Sequence, residues 1–253
     1  MSERTFQIYR GAGDKGDLRE YAIEVDEGMV VLDAIHVIQA TQAPDLAVRW
    51  NCKAGKCGSC SCEVNGTPRL TCMTRLSDYG EGETITVTPM KAFPVIRDLV
   101  TDVSRNYENN KKIPRFRPRP RDAEDGWRMQ QYEVEKAQEM RKCIECFLCQ
   151  DVCHVLRSHA KHREFIGPAF LVRTAGYSMN PIDVEDRTEF LKESGGIGYC
   201  NITKCCTEVC PEHITITDNA IIPLKERVVD RYYDPLKALV RLVRSGRPSA
   251  TAG

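Results

Sequence analysis

Cys143 to Cys153 reads CIECFLCQDVC, four cysteines spaced C-x2-C-x2-C-x3-C. In such a run three closely spaced thiolates grip one iron-sulfur cluster, and the fourth crosses to a second cluster. A second cluster needs its own run. From Cys200 the chain reads CNITKCCTEVCP, and on the same template the positions fall on Cys200, Thr203, Cys206 and Cys210, followed by Pro211. One ligand position therefore holds threonine. A 4Fe-4S cluster takes four thiolates, so the complete run predicts 4Fe-4S on Cys143, Cys146 and Cys149, with Cys210 crossing over. The depleted run predicts 3Fe-4S on Cys200 and Cys206, with Cys153 crossing back. Cys205, beside Cys206, is a spare thiol; a backbone shift would bring it in as a fourth ligand and convert 3Fe-4S to 4Fe-4S.

Upstream lies a different cysteine pattern. Residues 51–62 read NCKAGKCGSCSC, placing Cys52, Cys57 and Cys60 at C-x4-C-x2-C. That is the plant-type 2Fe-2S spacing, and Cys72 across the following hairpin supplies a fourth thiolate. Gly55 and Gly58 let the backbone wrap closely, with N–H groups free to point at sulfur. Cys62 is left over, either a replacement for Cys60 or a buried thiol; the x2 spacing favours Cys60 as ligand.

The segments around this loop suggest a β-grasp domain. FQIYR and YAIEV alternate apolar and polar residues on either side of a turn-rich GAGDKGD. Residues 30–41 place Val31, Leu32, Ile35 and Ile38 on one helical face, with His36 as a surface or boundary histidine. Asn65-Gly66 is a hairpin signal, and ITVTP at 85–89 a final strand. Residues 93–107, FPVIRDLVTDVSRNY, read as a helix packing Val95, Leu99 and Val103 inward. NNKKIPRFRPRPRDAEDG then reads as an extended, solvated linker.

Beyond it, 127–142 predicts a polar helix, and helices with short connections dominate the remainder. His154, His159 and His162 lack the spacing of a helical zinc pair and read as exposed; His154 stands apart because it directly follows a cluster ligand. Residues 213–233 close this half over its clusters. In the tail, Leu236, Leu239, Val240 and Val243 form the apolar stripe of a basic amphipathic helix suited to a membrane surface or a protein neighbour. The fold expected is α+β: a β-grasp plant-type 2Fe-2S ferredoxin domain over 1–107, a linker over 108–126, and an α-helical, bacterial-ferredoxin-like two-cluster domain over 127–253.

Composition narrows the function. Lys+Arg and Asp+Glu are both 36, so charge gives no case for nucleic acid. The N-terminus MSERTFQIYRG carries no secretory pattern, and no stretch approaches the roughly 18–20 apolar residues of a membrane span. Thirteen cysteines are then expected as ligands in a reducing compartment rather than as disulfides. Zinc sites bring cysteines in pairs, whereas triplets with a remote fourth suit cubane clusters. No dinucleotide fingerprint and no nucleophile beside a base stands out. Three clusters in one chain form a relay for single electrons, with donor and acceptor sites on partners.

The order of the three cysteine groups, FPVIRDLVTD after the first, FIGPA after the second and the closing CP resemble the iron-sulfur subunits of succinate dehydrogenase and fumarate reductase over residues 4–235. The resemblance implies a flavoprotein partner whose covalent FAD oxidises succinate, and electrons passing through the clusters to a quinone. It implies a membrane-anchor partner, with haem b in many relatives, and a peripheral place on the cytoplasmic face of a bacterial membrane. Ubiquinone-linked relatives carry proline where this chain has His154, tryptophan where it has Ser158 and histidine where it has Asn201. These quinone-side departures favour menaquinone as acceptor. Rivals are the same machine reversed as a fumarate reductase, the iron-sulfur subunit of another flavin-linked dehydrogenase, and a structural zinc module.

Overall fold

The computed structural model describes residues 2–235; the amphipathic stripe from Leu236 to Val243 lies outside them. The chain opens with a long antiparallel hairpin, β1 (Ser2–Ala12) and β2 (Lys15–Val25), turning at Gly13. Helix α1 (Val31–Thr41) follows, then the hairpin β3 (Ser61–Val64) and β4 (Thr67–Leu70), then β5 (Ile85–Thr88). The sheet order is β2-β1-β5-β3-β4, with β1 and β5 parallel at the centre. Alternation puts Phe6, Ile8, Ile85 and Val87 on one face, where α1 buries Val31, Ala34, Ile35 and Ile38 against them. The β3–β4 turn is Asn65-Gly66, both left-handed (φ 46° and 75°), as a two-residue hairpin demands. The β-grasp expectation holds.

The expected helix over 93–107 does not form. Val95–Arg97 (β6) and Val100–Thr101 (β7) pair as a small hairpin, turning at left-handed Asp98 (φ 49°). Asp98 is the cause. Its buried carboxylate accepts the amides of Gly11 (2.9 Å) and Ala47 (2.8 Å), and Arg10 approaches at 3.2 Å. Those tertiary bonds outweigh a helical pattern in which Leu99 is buried and Val95 and Val103 are only half-buried. Helix α2 (Ser104–Lys112) comes later and runs through NNKK, the expected start of the linker.

The rest of the Pro/Arg-rich stretch is extended but anchored. The Arg119 amide donates to Ile182 (2.8 Å) and the Val184 amide to Arg117 (2.9 Å). Arg187, fully buried, donates to the carbonyls of Pro114 and Arg115 (2.9 Å each) and pairs with buried Asp183 at 2.7 Å. The solvated-linker expectation misses this strap because it is closed by a residue some seventy positions downstream.

The second half is helical: α3 (Gln131–Gln138), α4 (Leu148–Asp151), α5 (His154–Arg157), α6 (Pro168–Ser178), α7 (Thr188–Lys192), α8 (Cys205–Glu208) and α9 (Ile222–Tyr232). A π-helical turn over Ile216–Ile221 leads into α9. Ile214, Ile216, Ile221, Leu224 and Val228 close this half over the cysteines, in one apolar core with Cys146, Cys149, Cys153 and Cys206. Among the described residues no helix is long and apolar enough to cross a membrane.

Candidate cluster sites

The two cysteine runs fold alike. In the first, the residues two and four places after Cys143 are left-handed, Glu145 (φ 55°) and Phe147 (φ 63°). In the second, the same places after Cys200 are Ile202 (φ 63°) and Lys204 (φ 64°). Each loop then enters a one-turn helix, α4 or α8, and a further cysteine ends each unit. On this overlay Cys149 matches Cys206, and Cys153 matches Cys210. Thr203 falls on Cys146 and Cys205 on Leu148, a residue of the buried core. The left-handed kinks turn backbone amides inward, where thiolates accept them.

Cys143, Cys146, Cys149 and Cys210 line one small cavity together with Ile144, Val172, Ile214 and Ile216. Cys153, Cys200 and Cys206 line another, joined by Thr203, Cys205 and Thr217. The Ile214 amide points at Cys210 Sγ (3.4 Å), and Thr217 Oγ1 lies 3.5 Å from Cys206 Sγ. In the first domain the amides of Ala54 and Lys56 point at Cys52 Sγ (3.4 and 3.3 Å). Gly55 and Gly58 are left-handed there (φ 67° and 68°), and Thr71 ties the returning strand to the Cys60 carbonyl at 3.0 Å. Cys72 thus comes back beside Cys60.

Charge fits an iron-bound site. Burial pushes the thiols of Cys143, Cys153 and Cys206 up to about 11, those of Cys72 and Cys146 to about 12, and that of Cys149 well above its ordinary value. Neighbouring cysteines add to the rise. Such thiols ionise only beside a strong positive charge, which iron supplies. Cys57 differs: the Ser59 hydroxyl and amide draw it down to about 6. Among the described residues no three His, Cys, Asp or Glu side chains converge closely enough for a single metal ion. The thiols are spread around cavity walls, as a group several atoms across requires.

Cys62 faces away from the loop into the sheet core, 1% exposed, with burial raising its thiol. Cys205 Sγ lies 3.3 Å from Thr203 Oγ1 in the lining of the second cavity. Of the three quinone-side positions, two meet: Asn201 Nδ2 and His154 Nε2 are 2.7 Å apart, joining the two ligand loops. Ser158 is exposed at the end of α5. Of the histidines expected to be exposed only His159 is; His154, half-buried, sets its ring against it, and His162 is half-buried too. Sequence reading missed Lys225, whose ammonium caps the Cys200 carbonyl at 2.6 Å, and Ser61, which bridges Gly58 and Cys146. No spacing signal marks either, because Lys225 and Cys200 are 25 positions apart and Ser61 and Cys146 are 85 apart.

Residues 5–108 match the family described as a 2Fe-2S iron-sulfur cluster binding domain, and residues 139–214 a 4Fe-4S dicluster domain. The fumarate reductase iron-sulfur subunit of Escherichia coli O157:H7 is 34% identical over 198 residues, 77% of this chain and 79% of that one. The fumarate reductase iron-sulfur subunit of Mycobacterium tuberculosis is 33% identical over 203 residues, with the same coverage. Among solved structures, a chain of the Mycobacterium smegmatis Sdh1 complex in the apo form superposes with a TM-score of 0.90 at 59% identity, covering 93% of this chain and 99% of that one. Two cluster domains in this order, with relatives matched over most of their length, establish that the chain belongs to the family of iron-sulfur subunits of succinate dehydrogenase and fumarate reductase.

Proposed function

We propose that this chain carries single electrons from a flavoprotein that oxidises succinate, through three clusters, to a membrane quinone. Cys52, Cys57, Cys60 and Cys72 hold a 2Fe-2S cluster; Cys143, Cys146, Cys149 and Cys210 a 4Fe-4S cluster; and Cys153, Cys200 and Cys206 a 3Fe-4S cluster. When bound, the clusters supply reversible one-electron storage at successive stations. The protein holds the thiolates, walls one inner cavity with Ile144, Ile214 and Ile216 and the other with Phe165 and Ile221, and fixes the spacing. The carrying observation is the structural repeat, which puts Thr203 in the place of Cys146. A hydroxyl there in place of a thiolate favours a cluster short of one iron. Because each cysteine run sends one residue to the other's cavity, Cys153 beyond α4 and Cys210 beyond α8, the second and third stations lie side by side.

Identity of 59% to an Sdh1 complex chain favours succinate oxidation over the reverse direction. The fumarate reductase relatives keep the reverse reading in view. An anchor subunit, with or without haem b, receives the third cluster at the cytoplasmic face of a bacterial membrane, and the exposed Tyr199 and Ile202 beside Cys200 offer it an apolar contact. Menaquinone is the acceptor, since His154, Ser158 and Asn201 replace the ubiquinone-side residues. The test is EPR of the detergent-extracted complex before and after succinate. An oxidised 3Fe-4S signal that disappears on adding succinate while a reduced 2Fe-2S signal grows supports the reading; a 3Fe-4S signal indifferent to succinate refutes the donor. Faster turnover with ubiquinone than with menaquinone analogues would refute the acceptor.

A further inference from the structure

β3 turns one edge of its pleat toward the second domain. Cys62 and Val64 face the sheet core, while Ser61 and Glu63 point the other way. Ser61 Oγ lies 2.9 Å from the Gly58 carbonyl and 2.9 Å from the Cys146 carbonyl, so its one proton is shared between them. Gly58 makes the second contact. It is left-handed (φ 68°), and a Cβ there would lie 2.6 Å from the Cys146 Cα. The loop between Cys57 and Cys60 therefore rests directly on the loop of the second cluster, with no side chain between them.

The neighbouring residues keep that contact closed. Glu63, fully buried, receives Arg157 at 2.7 Å and Lys91 at 3.0 Å. The Ala92 amide crosses to Asp151 of α4 at 2.9 Å. Phe147, next to Cys146, packs its ring against Phe93 and Tyr107 (6.5 and 6.3 Å between centroids). A carboxylate buried as Glu63 is would be costly without these cations, so the contact with Arg157 holds the two domains in one register. That register is the one of Ser61 on Cys146.

We propose that Ser61, with the bare backbone of Gly58, is the bridge by which an electron passes from the first cluster to the second. The proposal rests on the three-cluster reading. Tunnelling weakens exponentially with distance and falls faster across empty gaps than along covalent and hydrogen bonds. From Cys60 the bonded path runs one residue to Ser61, through its O–H to the Cys146 carbonyl, and on to the Cys146 thiolate. From Cys57 it runs one residue to Gly58 and across van der Waals contact to the same cysteine. Both paths leave a ligand of the first cluster and end on one ligand of the second. The first cluster gives up one electron and the second takes it; the Ser61 proton stays on its oxygen, so no proton is exchanged. Ser61 is a positioning residue, and its side chain is buried too deeply for a docking role.

The test uses the intact complex carrying Ser61→Ala or Ser61→Thr, reduced with dithionite so that the first two clusters are paramagnetic. The readout is the microwave power that half-saturates the reduced 2Fe-2S signal, which falls when its coupling to a neighbouring spin weakens. In S61A we expect unchanged g-values and midpoint potential for the 2Fe-2S cluster, a several-fold lower half-saturation power, and slower passage of electrons to the second cluster after flash photoreduction. S61T keeps the hydroxyl on β3 and is expected to match the wild type. An assembled S61A complex with wild-type half-saturation power and rate would overturn the bridge. So would a loss that follows a shifted 2Fe-2S potential, or an S61T complex with intact clusters and lost coupling. A wild-type complex without any 4Fe-4S signal would instead overturn the three-cluster reading, and the bridge with it.

Discussion

Asp98 shows how one buried carboxylate decides the local chain path. It holds the tip of the β1–β2 hairpin, the loop before the 2Fe-2S cysteines and the β6–β7 turn together. Asp98→Ala would leave two half-buried amides without their acceptor and a left-handed residue without its favoured side chain, at a cost of about 1 to 3 kcal/mol. A thermal midpoint within a degree of wild type would contradict this. The spare thiols make a second residue-level case. By the repeat, Cys205 stands where Leu148 stands, and Thr203 where Cys146 does. Cys205→Ser should therefore leave the EPR signal of the third cluster unchanged, while Cys206→Ser removes it. Cys62→Ala should keep full iron and sulfide content, because that thiol points into the sheet.

Among the elements, the strap over residues 113–119 depends on Arg187. Replacing it with Met removes the cation from buried Asp183 and frees two carbonyls, a loss of about 3 to 5 kcal/mol by analogy with broken buried pairs. Limited trypsin digestion should then cut after Arg115, the one arginine of the strap not followed by proline, much faster than in the wild type; equal rates would argue that the strap holds without it. Glu139 ties the segment before Cys143 to the π-helical turn, accepting Thr215 N–H at 2.7 Å and Asn219 Nδ2 at 2.6 Å. Burial alone would raise its carboxyl, but these donors hold it below the usual range. A lowered folded-state pKa gives stability that is present above the unfolded carboxylate range and lost as pH falls through the folded value. Glu139→Gln should thus destabilise the protein at neutral pH, and the gap from wild type should close in acid; a gap independent of pH would contradict the assignment.

Across the whole molecule two apolar cores meet at the interface of the domains. The sheet core contains Cys62 as its one cysteine, whereas the other core includes Cys60, Cys72, Cys146, Cys149, Cys153 and Cys206. Removing iron with chelator under reducing conditions should therefore loosen the helical half first. Hydrogen exchange should rise in α4, α5 and α8 while β1, β5 and α1 stay protected; uniform exchange would show that the halves unfold as one. The sequence by itself determined what local patterns encode: cysteine spacings that mark a 2Fe-2S domain and a dicluster domain, period-two strands, the Asn65-Gly66 turn and the amphipathic α1. These depend on neighbours a few residues apart, so they survive without the fold. Only the tertiary structure decided that 93–107 breaks into a hairpin at Asp98, that the Arg-rich stretch is strapped down by Arg187, and that Ser61 touches Cys146. Each of those rests on a buried polar group satisfied by a partner far along the chain, and no local pattern records where such a partner will come from.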